Sequence, residues 1–422
     1  MNRKRLSLIS AVMVLTLSFG TFAGVVNAQG GGTAVAGGFN GPMGVLVAPD
    51  GSVWVIDSGV GGDTEIEFFN PDTGEQETAT IGDTARVVKI ASDGTQTVAA
   101  NLPSVLVGTE ALGGARLALV DGALYATNGG WIETSGPSPA APTIAAVVKI
   151  EDGEAVPIAS LWALENSRNP DGFIKESHPY GLLAGPDGNL WVADAGGNTL
   201  IRVVLNSDGV DVVAAFDGVP SPLPNPNRDG AMESDPVPTG ITLGDDGNIY
   251  VAFLPGFPFL PGSAKIVQVT PDGQVSDYAT GLTMVTDLRK GPDGALYAVQ
   301  LGEFTEQGPV PNSGSIVRVK EGAEPEAVLS NLSFPTSIDF NANGDAYVTI
   351  NGVGAPGSGE VVMFTGLSQT DPAPAPAELP TTGGVHSDDP LAGSAIIALG
   401  LALLALGLLW RPGTSSRAGE EG

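Results

Sequence analysis

The chain has 422 residues, with 47 Asp and Glu against 18 Lys and Arg, two histidines and no cysteine. A formal net charge of −29 opposes phosphate backbones and anionic headgroups, which excludes nucleic acid as a natural partner and disfavours anionic lipid while leaving cations and neutral ligands open. Without cysteine there is no disulfide or thiolate chemistry, and 60 glycines outside any collagen period call for many tight turns around a core that the 42% apolar content can fill.

At the N-terminus Arg3, Lys4 and Arg5 precede an apolar run from Leu6 to Phe22, and Val26 and Ala28 occupy the −3 and −1 positions of a cleavage site before Gln29. That order predicts a signal peptide over 1–28, and hence export.

The body, 29–367, is built of repeats. The clearest is PYGLLAGPDGNLWVADAGGNTLIRV at 179–203: a short apolar run, a Pro-Asp-Gly turn, an aromatic-led strand, a polar loop and a third strand. Asp-Gly and Asn-Gly supply the positive φ angles of tight hairpins. Related units occupy 45–57, 117–128, 241–253, 288–300 and 338–350, and each turn is followed closely by an aromatic residue: Trp54, Tyr125, Trp191, Tyr250, Tyr297 and Tyr347. A second hairpin follows in five units, with turns at Asp93-Gly94, Asp152-Gly153, Asp208-Gly209, Asp272-Gly273 and Glu321-Gly322. Four strands per unit predict an all-β, six-bladed β-propeller. The last unit lacks a fourth strand, and TAVAGGFNGP at 33–42 matches the fourth strands of other units. The N-terminal segment is therefore expected to complete the last blade and remove a free sheet edge.

Behind the body come a Pro/Ala linker at 368–378, LPTTG at 379–383, 20 uncharged residues at 391–410 and a tail at 411–422 that opens with Arg411. Such an uncharged run is long enough to span a hydrocarbon core of about 30 Å, so it predicts a transmembrane helix. The order resembles a sortase wall-sorting signal, which implies a sortase as partner and cleavage between Thr382 and Gly383. The tail departs from that pattern by balancing Arg411 and Arg417 against Glu420 and Glu421. Without cleavage the same segment predicts a membrane tether with its C-terminus inside, as Arg411 at the boundary favours. Either route places the body at the cell surface.

The stretches HPYGLLAGPDGNLWVADAGGNTLIRV and PTGITLGDDGNIYVAFLPGFPFLPGSAKIVQV resemble NHL-type propellers and, over 33–366, the ScyD/ScyE family of exported propellers. The resemblance implies the fold and an exported setting, and it specifies no activity.

Loop lengths differ by face. Strand one-to-two and three-to-four turns are short, whereas 59–85, 129–145, 166–177, 218–238, 255–264 and 301–314 are long and emerge together, so binding is expected on that face around the central channel. Asp57, Asn128 and Asp194 end the second strands of the first three units, where the later units have Phe253, Gln300 and Ile350. Three such oxygen donors near the channel could coordinate a hard cation such as calcium, and they resemble the Glu, Asn and Asp set around the metal of gluconolactonase-type propellers. The competing reading is that of NHL repeats, in which Asp194, with Asn198 and Arg202, orders its own loop. His178, at the channel mouth, bears a loose resemblance to the base of antibiotic-lyase propellers, although a lone histidine is more often structural. Glu110, Asp235 and Asp287 lie at similar blade entrances.

The 59–85 segment carries Asp63, Glu65, Glu67, Asp72, Glu75, Glu77 and Asp83 with no Lys or Arg, a run that is usually a solvated face. The oxygens of PNPNRDGAMESD at 224–235 are spaced unlike a strict EF-hand loop. GFPFLPG puts Phe257 and Phe259 on a loop, to pack across the ring or to offer an apolar contact to a ligand. There is no G-x-S-x-G, phosphate loop or zinc motif. Two functions follow: a tethered module binding a small molecule or surface protein, and a metal-dependent lyase or lactonase in the channel.

Overall fold

Each turn-plus-aromatic unit folds within one antiparallel sheet, and six such sheets follow one another along the chain. The computed structural model describes residues 31–369 apart from 72–73, 208 and 306–307. The predicted signal peptide, most of the linker, Thr382 and Gly383 of the sorting motif, the 391–410 segment and the tail lie outside the described residues. Among the described residues no helix is long and apolar enough to cross a membrane.

The first sheet runs Pro42–Val47, Val53–Asp57, Glu75–Ile90 and Gln96–Val107. The second runs Gly114–Val120, Ala123–Asn128, Ala146–Glu151 and Glu154–Ser160. The third holds Pro179–Ala184, Leu190–Asp194, Thr199–Val203 and Val210–Ala215. Pro238–Leu243, Ile249–Phe253, Ala264–Val269 and Val275–Leu282 form the fourth. Val285–Lys290, Leu296–Gln300, Gly314–Val319 and Glu326–Leu332 form the fifth. The sixth takes Ser337–Phe340, Ala346–Ile350 and Gly359–Phe364 from the end of the body and Thr33–Phe39 from its start. Thr33 stands opposite Met363 and Phe39 opposite Gly359, so the first strand of the body pairs with its last.

The turns obey their sequence. Gly51, Gly188, Gly247, Gly294 and Gly344 adopt φ of 73–82°, open to glycine without steric cost. The second unit has the tighter Asp121-Gly122 pair, with both φ positive, as a two-residue hairpin requires.

Two kinds of contact close the sheets into a propeller. Apolar side chains of neighbouring sheets interdigitate: Leu182, Val192 and Ile201 of the third pack with Val147 and Ala118 of the second, and Val348 and Val362 of the sixth with Val299 and Ile316 of the fifth. Near the axis the first strands approach so closely that glycine is needed. A Cβ on Gly44 would lie 2.6 Å from the Ala115 carbonyl oxygen of the next sheet, and one on Gly181 would collide with that of Thr239. Hydroxyls then bridge sheets, as where Thr127 donates to the Tyr180 carbonyl at 2.8 Å and Thr239 to that of Val285 at 2.6 Å.

The 59–85 segment, expected as a loop, contains a hairpin. Thr64–Asn70 pairs with the outer half of the long Glu75–Ile90 strand, from Thr64 opposite Ile81 to Asn70 opposite Glu75. The cause is a period-two alternation hidden among the acids. Ile66, Phe68, Ala79 and Ile81 turn one face onto Trp131, Ile132 and Trp162, while Glu65 and Glu67 remain exposed. With Gln96–Val107 and Glu110–Leu112 the hairpin extends the first sheet beyond the ring on the long-loop side.

Candidate functional site

Three of the residues that end the second strands share one local task. Asp57 accepts from the backbone N–H of Asn40 at 3.2 Å and of Arg86 at 2.8 Å, and pairs with the Arg86 guanidinium at 3.0 Å through Nε. Asp194 accepts from the N–H of His178 at 2.6 Å and of Gly197 at 3.1 Å, and from the Ser177 hydroxyl at 2.7 Å. Gln300 accepts from the Thr283 N–H at 2.7 Å and donates to the Ser315 hydroxyl at 3.0 Å. In all three cases the side chain holds the segment leading into its own first strand. Burial raises the Asp57 carboxyl against the pull of Arg86, and pushes that of Asp194 up to about 6 despite its donors.

Asn128 donates to the Thr143 carbonyl at 2.9 Å, while its Oδ1 is shielded and unpaired. The donor set Asp57, Asn128 and Asp194 therefore does not fit a shared calcium ion. The two carboxylates are turned to N–H and guanidinium donors of their own sheets, and a cation needs free oxygens aimed at one point. Among the described residues no three His, Asp or Glu side chains group so as to hold a metal ion.

Asp235 is likewise committed. It pairs with Arg228 at 3.0 Å and accepts from Asn225 at 2.9 Å, and Arg228 also meets Glu233 at 2.7 Å and stacks on Phe173 at 4.2 Å. The 224–235 segment thus carries its own cation, a guanidinium.

Asp287 lies deep in the channel opposite Arg116, which no motif flagged. The Arg116 side chain is fully buried and crosses the axis. It donates to the Met43 carbonyl of the first sheet, that of Ala115 at 3.0 Å, that of Thr286 in the fifth sheet, and that of Thr336 at 2.9 Å before the sixth. Its plane covers Tyr180 of the third sheet at 4.4 Å, and its Nε lies 3.4 Å from Asp287. Asp287 also accepts from the Ser337 hydroxyl at 2.6 Å. Burial alone would push the Asp287 carboxyl up, but Arg116 and Arg289 outweigh it and hold the group below its ordinary range.

Above that ion pair an apolar collar fills much of the channel: Met43, Tyr180, Leu254, Phe259, Met284 and Phe334. Phe259 packs into the collar against Phe304, with ring centres 4.8 Å apart, whereas Phe257 is 42% exposed. The two phenylalanines of GFPFLPG divide the roles the sequence allowed them.

Where the collar is incomplete, beside the first three sheets and the sixth, a cavity of about 260 Å³ opens on the long-loop side. Val60, Leu106, Leu112 and Val353 give it apolar walls, and Glu110, His178 and Tyr180 bring polar groups to it. The structure thus brings Glu110 and His178 together on one cavity and leaves the other sequence candidates outside its lining. Oε1 of Glu110 is shielded from solvent and has no hydrogen-bond partner. Burial, with Glu176 and Glu77 nearby, pushes this carboxyl up to about 8. Burial also pushes His178 down to about 4, and its ring meets Tyr180 edge-on at 5.9 Å. Near pH 7 both groups are uncharged. His178 can then donate or accept a proton, and Glu110 can donate a hydrogen bond or release its proton to solvent when a cationic guest pairs with it.

No family model matches the chain. A curated gluconolactonase from Zymomonas mobilis is 29% identical over 129 residues, which is 29% of this chain and 33% of that protein. The match thus spans about a third of the relative's length. Among solved structures, virginiamycin B lyase from Staphylococcus aureus is 19% identical, over 76% of this chain and 84% of that one, with a TM-score of 0.39. A gluconolactonase from Xanthomonas campestris is 11% identical over 79% and 98%, with a TM-score of 0.43. The PQQ-bound aldose sugar dehydrogenase of Streptomyces coelicolor is 12% identical over 78% and 95%, with a TM-score of 0.46. At that distance the solved structures say nothing about this chain's chemistry.

Proposed function

We propose that the protein is an exported six-bladed propeller of the ScyD/ScyE type, tethered at the cell surface, which binds a small molecule through its long-loop face. The observation that carries the binding reading is the cavity at the channel mouth, with apolar walls and a shielded, unpartnered Glu110 oxygen. Pockets for small molecules have this composition: mostly apolar lining with a few polar groups to fix orientation. A buried polar atom without a partner is costly, and a ligand that supplies the partner recovers the loss. Exposing the purified full chain to an extract of the producing cells' medium and identifying retained molecules by mass spectrometry tests the reading. Retention that is lost in Ala111→Trp, which fills the cavity, supports it; equal retention by both proteins overturns it. Export and tethering are checked on the mature chain, whose N-terminus is expected at Gln29. A C-terminus at Thr382 marks sortase cleavage, and an intact tail marks a membrane tether.

A second reading, lactone hydrolysis, is favoured by the local likeness to a gluconolactonase. Its test is turnover of glucono-1,5-lactone by the full chain with and without calcium. No turnover under either condition removes it.

A further inference from the structure

We infer that the cavity takes a monocationic ligand, an organic ammonium on an apolar body, and that the carboxylate of Glu110 is its counter-ion. This rests on the binding reading above and adds the chemical class of the guest.

The argument starts from what the cavity lacks. Four other shielded carboxylates of this protein have a donor: Asp57 has Arg86, Asp194 has N–H groups and a hydroxyl, Asp235 has Arg228, and Asp287 has Arg116; Glu165 also has an unpartnered oxygen, but it does not line the cavity. Glu110 lines the cavity with an oxygen that has none. The acids nearest it are Glu77 on the long third strand of the first sheet and Glu176 on the Glu176–Ser177 strand, and the cavity lining adds His178 and Tyr180. Burial keeps His178 and the Tyr180 phenol uncharged. The potential at the cavity is therefore negative, and its one basic side chain does not oppose a cation. Arg116 below the floor is already paired with Asp287.

The neighbours that keep a proton on Glu110 would favour an incoming positive charge in its place. An anion would meet the same acids as repulsion. A bare metal ion finds no group of three suitable ligands among the described residues, whereas a single ammonium needs one carboxylate and a few acceptors. Val60, Leu106, Leu112 and Val353 can then shed water from an apolar body. The net charge of −29 would speed the encounter. Binding near pH 7 is an exchange: the Glu110 proton passes to solvent as the ammonium takes its position, so atoms and charge balance.

The test is calorimetric titration of the purified full chain at pH 7 with three matched probes: 2-naphthylmethylamine as the ammonium, 2-naphthylmethanol as its neutral isostere, and 2-naphthoate as the anion. The ammonium should bind at least about tenfold more tightly than the alcohol, and the naphthoate not measurably. Repeating the ammonium titration in buffers of different ionisation enthalpy should show release of about one proton per ligand. In Glu110→Gln the ammonium should fall to the affinity of the alcohol, proton release should vanish, and the alcohol should be unchanged. Equal or tighter binding of the alcohol by the native chain overturns the inference and leaves the binding reading standing. So does Glu110→Gln that keeps both the ammonium preference and the proton release. If none of the three probes binds, the cavity reading falls with it.

Discussion

Two carboxylates, one buried and one partly buried, mark the two ends of the same channel, and they are treated in opposite ways. At the floor, Asp287 faces a guanidinium, the Ser337 hydroxyl and the Ile338 N–H of the sixth sheet, and a second arginine, and is held ionised. At the mouth, Glu110 faces two other glutamates and an apolar wall, and keeps its proton to about pH 8. Burial raises both carboxyls, and the neighbours decide the opposite outcomes. The floor is a structural joint in which one side chain ties four sheets. The mouth is left electrostatically incomplete, as a binding site can be when a guest supplies the missing charge.

The comparison breaks most sharply at Arg116. Arg116→Met leaves Asp287 buried without its counter-ion and should cost about 3–5 kcal/mol in denaturant unfolding. The sign of its pH dependence follows from the lowered Asp287 value. The pair's stabilisation is present above the ordinary Asp value of 3.8 and is lost as pH falls through the folded value. The native chain should therefore lose stability in acid more steeply than the variant. Phe259→Ala empties part of the collar above the joint and should cost a further distinct loss of about 3–5 kcal/mol, read from the same unfolding curve.

Gly181→Ala tests the ring itself. Its new Cβ meets the Thr239 carbonyl of the next sheet, and overpacking of this kind costs about 1–3 kcal/mol, seen as a lower melting temperature. Glu110→Gln sharpens the contrast at the mouth. The folded carboxyl keeps its proton to about 8, whereas the unfolded one ionises near 4.5, so the native chain loses stability as pH rises between those values. The variant should lack that slope and gain on the native chain from pH 5 to 8 in thermal unfolding. The smallest effect belongs to Phe257→Ser at the exposed half of the aromatic loop, within about 0.5 kcal/mol of the native chain.

Local rules were legible where chemistry and structure are adjacent in sequence. The Asp-Gly turns and the aromatic-led second strands could be read from short patterns, because glycine φ and period-two alternation are local properties, and the pairing of 33–39 with 359–364 from the likeness of 33–42 to the fourth strands of other units. The loop-ordering role of Asp194 was readable from its spacing to Asn198, and the same task for Asp57 could have been inferred by equivalence. The hairpin at 64–81 was hidden because seven acids drew attention away from Ile66, Phe68, Ala79 and Ile81. Its signal was present in the alternation.

The sequence alone determined the repeat, the turns, the acidic surface and the face that bears the long loops, since each follows from residues close in the chain. Tertiary structure alone decided which side chains meet at the axis. Arg116 reaches a carbonyl 220 residues away, and Asp287 becomes its partner only once the ring is closed. Glu110 and His178 share a cavity because two consecutive sheets and an added hairpin converge there. Burial and charge are sums over whatever the fold brings near, and no short window of sequence contains those terms.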